Sequence, residues 1–206
     1  CSAGEFSASR GRRQLQRDLR PLIGADLHVL AFDRFATFRG VPGGGWTCDA
    51  SRNDRITADG AESGWKAEPG KYRLVAARAC PWANRTIIVR RLLGLEDAIS
   101  LGLCGPTHDK DSWTFDLDEG GVDPVLGIHF LRDAYNKRFP NYERGITVPA
   151  IVDERTGEVV TNDFNQMTLD FGTEWKEFHR AGAPDLYPEA QREEMDELME
   201  FVFHTV

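Results

Sequence analysis

Cysteine is scarce in this sequence, and its four cysteines lie far apart, at Cys1, Cys48, Cys80 and Cys104. No two of them form the closely spaced pairs that zinc sites and dithiol redox motifs use. The five histidines are likewise scattered, without metal-ligand spacing. The sequence therefore indicates neither a metal site nor a dense disulfide framework, and it favours a reduced, cytoplasmic protein.

Long apolar runs and an excess of basic residues are also missing. No uninterrupted apolar segment is long enough to cross a bilayer, so we expect no membrane span. The formal net charge is −8 over 206 residues, and a surface of that sign does not neutralise phosphates, which argues against a nucleic-acid partner. Hydrophobic residues make up 41% of the chain, which is enough for a sizeable core in one domain or a domain and a half.

The first third of the chain is poor in regular patterns. Residues 1–39 are rich in Arg and in this resemble transit peptides, but they include Asp18, Asp26 and Asp33, which such peptides avoid. A loosely packed extension is the favoured alternative. Residues 40–72 are rich in turn-forming residues and predict irregular structure. The chain begins without methionine and stops within a helical pattern, so we expect a fragment of a longer protein.

An alternation of strand and helix patterns begins near Tyr72. Periodicity predicts, in order, a strand over 72–78, a helix over 82–94, a strand over 98–104, an amphipathic segment over 125–139, a hairpin over 146–162 with its turn over 153–157, a short helix over 163–172 and a helix over 189–206. The first helix is expected to bury a stripe formed by Ile87, Ile88, Leu92 and Leu93. This order predicts an α/β unit with a mixed sheet, followed by the start of a helical domain.

Cys80 stands where the first strand pattern stops and the first helix pattern starts, in the segment ACPWANR. A helix N-terminus has unpaired N–H groups and a partial positive charge, so we expect it to stabilise the thiolate and to lower the thiol pKa from about 8.5. Pro81 suits the first helical turn, and Ala83 stands where a resolving cysteine would be. The favoured interpretation is an activated single thiol that exchanges with a small-molecule thiol. The alternative is a buried cysteine that packs as a small hydrophobe.

Pro149 opens the predicted hairpin and follows the β-branched Val148. If the bond between them is cis, the backbone of Val148 turns outward beside the thiol and offers its N–H and C=O groups to an extended, peptide-like ligand. The alternative is an ordinary trans proline on an edge strand. The sequence leaves both alternatives open.

Several segments, in order along the chain, resemble the glutathionyl-hydroquinone reductases, the Xi class of glutathione transferases, which is related to the omega class. The segments are ACPWANR, GLEDAIS, DSWTF, ITVPAIVDERTGEVVTND and HTV, and the match runs from about Arg55 to the C-terminus. The resemblance implies a poorly matched extension over 1–54, a thioredoxin-like domain over 55–175 and, over 176–206, a linker and the first helix of a truncated all-α domain. It also implies a homodimer in the full-length protein.

The same resemblance implies a chemistry. Members of this family reduce glutathionyl-hydroquinones to hydroquinone and oxidised glutathione. Cys80 would be the nucleophile that takes the glutathionyl group as a mixed disulfide, from which a second glutathione releases it. The family positions that hold glutathione fall on Trp113, which would pack on it, on Gly145, Ile146, Thr147 and Val148, whose backbone would hold it, and on Asp163 and Phe164, which would grip its γ-glutamyl end. A family tyrosine that assists proton transfer would fall a few residues after Val206.

The sequence departs from the family pattern at the ligand rather than at the thiol. Asp163 and Phe164 replace a Glu-Ser pair, Asn84 replaces a histidine, and Gly145 stands where the family has an arginine. A lost hydrogen bond to a charged ligand group lowers affinity about tenfold or more, so mycothiol is an alternative co-substrate to glutathione. Two alternative functions also stay open. One is an omega-like thioltransferase that acts on mixed disulfides, and the other is a non-catalytic thioredoxin-fold binding protein.

Overall fold

The structure, a computed structural model, describes residues 54–106, 108, 112–143 and 145–205. Residues 203–205 are described by their backbone alone. The extension predicted over 1–54 therefore lies outside the described residues, apart from Asp54. The described residues up to Met199 belong to one compact unit. The described part of the other unit, residues 200–205, is the end of the last helix.

Two short strands precede the main sheet. β1 (Ile56–Thr57) and β2 (Trp65–Lys66) pair in parallel, which corrects the prediction of irregular structure in this part of the chain. Side-chain anchors rather than apolar periodicity hold the segment. Arg55 Nη2, for example, donates to Asp170 Oδ1 at 2.7 Å. Strands of two residues are too short to show an alternating pattern, so the sequence did not predict them.

A four-stranded mixed sheet forms the centre of the unit. Its strands are β3 (Tyr72–Ala76), β4 (Ile99–Leu103), β5 (Ala150–Asp153) and β6 (Val159–Thr161). They stand in the order β4-β3-β5-β6, with β3 parallel to β4 and antiparallel to β5, and with β5 and β6 joined as an antiparallel hairpin. The predicted hairpin turn is confirmed, since Gly157 N–H donates to Asp153 O at 2.7 Å.

Helix α1 (Pro81–Leu93) crosses from β3 to β4. Cys80 is its N-cap residue in an extended conformation, Pro81 is its first residue, and Gly94 ends it with a left-handed φ of 74°. These predicted ends are confirmed. The cysteine therefore lies at the carboxyl end of the parallel strand pair, which is the edge of an α/β sheet where ligands bind.

The predicted apolar stripe of α1 is half wrong. Ile87 and Leu93 are buried, but Ile88 and Leu92 are 49% and 41% exposed. Arg90 occupies the buried face instead, because its guanidinium Nε donates to a β4 carbonyl oxygen at 2.7 Å. A pattern of apolar residues alone does not predict a charged residue in such a position, since its burial depends on a backbone acceptor from another element.

The other α-helices of the described residues are α2 (Leu131–Arg138), α3 (Phe164–Thr173) and α4 (Arg192–Thr205). α3 ends at Thr173, one residue past Gly172, where the sequence predicted its end. Among the described residues, none of the helices combines the length and the apolar character that crossing a bilayer requires. The predicted α/β class, with a mixed sheet followed by helices, is confirmed.

Candidate active site

The Cys80 thiol lies at the start of α1 and faces the segment that leads into β5. Its sulfur donates to the Val148 carbonyl oxygen at 3.6 Å, and the side chain is only half-buried. The Val148–Pro149 peptide bond is cis, which decides between the two alternatives that the sequence left open. The two segments predicted to form the site, at Cys80 and at Val148, are therefore adjacent.

Two opposing effects act on the acidity of this thiol. Burial raises the pKa of Cys80 above its ordinary value, whereas hydrogen bonds from the backbone N–H groups of Ala83 and Trp82 lower it. Burial is the larger effect, so the expected lowering of the thiol pKa is wrong for the ligand-free chain. The helix start does supply the predicted donors, but their effect is smaller than the cost of desolvating the thiolate.

Asp163 and Phe164 form the start of α3, opposite the start of α1. Asp163 is the N-cap residue of that helix, and its Oδ1 accepts hydrogen bonds from the backbone N–H groups of Asn165 and Gln166 at 3.1 and 3.0 Å. No donor among the described residues contacts its Oδ2. One carboxylate oxygen of Asp163 thus organises the helix start, and the other is available to a ligand.

Side chains from α1 meet the start of α3 directly. The rings of Trp82 and Phe164 lie 5.5 Å apart, centroid to centroid. The Arg85 guanidinium lies 5.4 Å from the Phe164 ring centre, and its Nη2 donates to Phe164 O at 3.1 Å and to Asn165 Oδ1 at 2.8 Å. The thiol helix and the Asp163–Phe164 pair are therefore brought together, partly by Arg85, which the sequence analysis did not single out.

The segment from Gly145 to Val148 is held by residues that the sequence analysis also missed. Tyr135 in α2 donates its hydroxyl hydrogen to Thr147 O at 3.1 Å, and Asn162 Nδ2 donates to Thr147 Oγ1 at 2.7 Å. Ile146 and Val148 are buried, and Gly145 is half-buried. Tyr135 stands 12 residues before Thr147 and Asn162 stands 15 residues after it, so the sequence pattern of the segment itself does not indicate them.

Trp113 lies on the loop after β4, where it packs partly buried against the core. Its ring meets the His108 ring edge-on at 5.3 Å, and its carbonyl oxygen accepts from Leu131 N–H at 3.0 Å. Its indole Nε1 is buried and has no hydrogen-bond partner among the described residues. No hydrogen bond or ring contact in this part of the structure joins Trp113 to Cys80, so its predicted place in the site rests on the resemblance.

The other described cysteine, Cys104, differs sharply from Cys80. It is buried at 3% exposure, and burial together with nearby aspartates raises its pKa to about 12. A sulfur buried this deeply is out of reach of a ligand, whereas Cys80 is half-buried at a helix start. No group of His, Cys, Asp and Glu side chains within the described ranges could hold a metal ion.

Comparison with known proteins shows what this part of the chain is similar to. Residues 79–169, which include Cys80 and Asp163, match the family model for the glutathione S-transferase N-terminal domain. The glutathionyl-hydroquinone reductase YqjG of Escherichia coli K12 is 35% identical over 158 residues, which are 73% of this chain and 48% of that protein. Its glutathione-bound structure superposes with a TM-score of 0.68 at 34% identity, covering 75% of this chain and 52% of that one.

Two further solved structures are similar. A glutathione transferase from Gordonia bronchialis DSM 43247 is 68% identical, with a TM-score of 0.72, over 74% of this chain and 47% of that one. A Xi-class glutathione transferase from Natrialba magadii is 33% identical, with a TM-score of 0.68, over 75% and 48%. The chain thus spans about half the length of the relatives that it matches. The resemblance inferred from the sequence and the thioredoxin-like fold are both confirmed.

Proposed function

Because the chain is similar to the glutathione S-transferase N-terminal domain over residues 79–169, and to glutathionyl-hydroquinone reductases and Xi-class glutathione transferases, we propose that Cys80 is the nucleophile of a glutathione-dependent reductase. One observation carries the proposal. The thiol lies at the helix start, half-buried, between two backbone N–H donors and the Val148 carbonyl oxygen. This position suits a sulfur that must alternate between a thiolate and a disulfide.

The proposed reaction has two steps. The Cys80 thiolate attacks the glutathionyl sulfur of a hydroquinone thioether, a sulfur–sulfur bond forms, and the carbon–sulfur bond breaks. Its electron pair goes to the ring carbon, which takes a proton, so hydroquinone leaves. The thiolate of a second glutathione then attacks the mixed disulfide, which yields glutathione disulfide and restores Cys80. Two electrons pass from the glutathione sulfurs to the ring, and one proton is consumed for each hydroquinone released.

The proposed contacts with glutathione come from three parts of the chain. Asp163 Oδ2 would take the ammonium group of the γ-glutamyl end, and Trp113 would pack on the tripeptide, as the resemblance implies. Gly145, Ile146, Thr147 and Val148 would supply backbone contacts to its extended chain.

Asp163 and Phe164 bear on which low-molecular-weight thiol is the co-substrate. The Phe164 side chain packs on Trp82 and offers no hydroxyl group to a ligand, so glutathione loses one contact that the family pattern supplies. We retain glutathione as the co-substrate, because a relative is described with it bound, and mycothiol as the alternative. Measuring how fast Cys80 forms an adduct at increasing concentrations of each disulfide distinguishes them, and clearly tighter mycothiol binding would overturn the choice of glutathione.

The remaining proposals concern the domains, the oligomeric state and the activity of the full-length protein. We place the thioredoxin-like domain at 55–175 and the linker with the first helix of an all-α domain at 176–206, in a cytoplasmic homodimer. Release of hydroquinone from a glutathionyl-hydroquinone by the full-length protein, followed by chromatography, tests the activity with Cys80→Ser as control. Turnover of mixed disulfides alone would support the omega-like thioltransferase instead. Binding without either turnover would support a non-catalytic protein.

A further inference from the structure

Arg85 joins the helix that carries the thiol to the helix that starts with the proposed ligand grip. It lies in α1, five residues after Cys80, and its two hydrogen-bond acceptors, Phe164 O and Asn165 Oδ1, lie in the first turn of α3. Both acceptors are neutral. Arg85 forms no salt bridge with any described residue, so its contact with α3 depends on geometry rather than on a paired charge.

The same contact includes a stack of side chains. The guanidinium lies 5.4 Å from the centre of the Phe164 ring, whose other ring neighbour is Trp82 at 5.5 Å. A planar guanidinium suits both tasks at once, because it can stack on a ring while its N–H groups point in fixed directions. The ring of Phe164 and the side chain of Asn165 are thus held by α1 and not by their own helix alone.

Asn165 links this contact to Asp163. Its side-chain oxygen accepts from Arg85, and its backbone N–H donates to the Asp163 carboxylate at 3.1 Å. Because Asn165 is held through both its side chain and its backbone, it fixes the direction of the Asp163 carboxylate, which caps the helix. The second oxygen of that carboxylate is the one proposed to take the ligand ammonium group.

We propose that Arg85 is a positioning residue, which holds the start of α3, and with it Asp163, at a fixed place relative to the Cys80 thiol. The inference rests on the proposed function and deepens it, since it assigns to Arg85 a part in binding the γ-glutamyl end of the co-substrate. Arg85 acts through Asn165 and Asp163, so it should govern the concentration at which the co-substrate saturates the site. It should not govern the intrinsic reactivity of the thiol.

The test compares Arg85→Met with Arg91→Met. Arg91 is exposed on the same helix, and its side chain forms no hydrogen bond or salt bridge with another described residue, so its substitution controls for the loss of one positive charge. Three quantities are measured on each variant and on the unaltered chain. They are the half-saturating concentration of glutathione disulfide for adduct formation on Cys80, the alkylation rate of Cys80 by iodoacetamide, and hydrogen exchange of the backbone amides in residues 162–168.

We expect Arg85→Met to raise the half-saturating concentration about tenfold, the usual effect of losing a charge-assisted hydrogen bond, and to speed exchange at Asn165 and Gln166. The limiting rate and the alkylation rate should stay within about twofold. Arg85→Lys, which keeps the charge but not the planar group, should lie in between. Arg91→Met should match the unaltered chain.

Two results would overturn the inference. The first is unchanged saturation and unchanged hydrogen exchange in Arg85→Met. The second is an effect of Arg85→Met on alkylation as large as its effect on saturation, because Arg85 would then act on the thiol itself. If the unaltered chain forms no adduct at all, the proposed function fails. Hydrogen exchange alone then decides whether Arg85 holds the start of α3.

Discussion

At the scale of single residues, the pKa of the Cys80 thiol is set by two opposing effects, the amide donors of the helix start, which lower it, and burial, which raises it. The position of Cys80 at the N-cap of α1 follows from the sequence, because a strand pattern, a cysteine, a proline and a helix pattern stand in that order. The sign of its pKa shift does not follow, since that depends on how much of the side chain other segments cover. Val148, which lies against the thiol, is 68 residues away along the chain.

The pH dependence of Cys80 reactivity tests this balance. Only the thiolate reacts with iodoacetamide, and burial raises the pKa of the thiol. In the ligand-free chain we therefore expect the alkylation rate to rise with pH through a midpoint above about 8.5, the ordinary value for cysteine. Mass spectrometry of the Cys80 peptide between about pH 6 and pH 10 measures it. A midpoint clearly below that value would show that the amide donors outweigh burial.

Asp163 combines a structural and a proposed binding task, and two substitutions separate them. Asparagine caps helices about as well as aspartate, whereas alanine does not. We expect Asp163→Ala to lower the free energy of unfolding by about 1 kcal/mol and Asp163→Asn to leave it nearly unchanged. Both should weaken binding of the co-substrate about tenfold, because both remove the charge that faces its ammonium group. Urea unfolding and adduct formation with glutathione disulfide measure the two effects.

One result would contradict the prediction for Asp163. If Asp163→Asn binds the co-substrate as the unaltered chain does, the carboxylate charge has no part in the grip. The role of Asp163 would then be confined to capping α3.

At the scale of secondary-structure elements, the local sequence pattern predicted those elements that are determined by residues close together in the chain. β3, β4, the hairpin of β5 and β6 and both ends of α1 came out as expected. The failures are elements held by distant partners. β1 and β2 depend on side-chain anchors such as Arg55 with Asp170, and the buried face of α1 includes Arg90 because β4 offers it a carbonyl oxygen. No periodicity in the sequence encodes such pairs.

The loop between β4 and α2, which carries Trp113, is anchored by a buried ion pair. Arg73 Nε in β3 donates to Asp123 Oδ2 at 2.8 Å, and the two side chains are 6% and 0% exposed. Asp123 Oδ1 also accepts from the backbone N–H groups of Val125 and Leu126 at 3.0 and 2.8 Å. The part of the loop around Asp123 is therefore held by contacts with the sheet rather than by a pattern of its own.

Removing one partner of this ion pair should be costly. We expect Asp123→Ala to lower the free energy of unfolding by about 3–5 kcal/mol, because it leaves the Arg73 charge buried without its partner. Urea unfolding measures it, with Glu119→Ala on the same loop as control, for which we expect a change within about 0.5 kcal/mol since Glu119 is exposed. A loss below about 1 kcal/mol for Asp123→Ala would mean that water or other groups replace the carboxylate.

At the scale of the whole molecule, the family could be inferred from sequence because several short segments occur in the right order. ACPWANR, ITVPAIVD and their neighbours fall on the starts of α1 and β5, where the chain approaches the thiol. What could not be inferred is how α1 meets α3. That contact joins Trp82 and Arg85 to Phe164 across about eighty residues of chain, and the residue that replaces the family serine takes part in it.

Intact-mass spectrometry of the chain incubated with glutathione disulfide tests the central claim, that Cys80 is an exchange-competent nucleophile, most directly. We expect one glutathionyl adduct on the peptide that contains Cys80, removed by a reducing agent and absent in Cys80→Ser, while buried Cys104 stays unmodified in the folded chain. No adduct on Cys80, or equal adduct formation in Cys80→Ser, would contradict it.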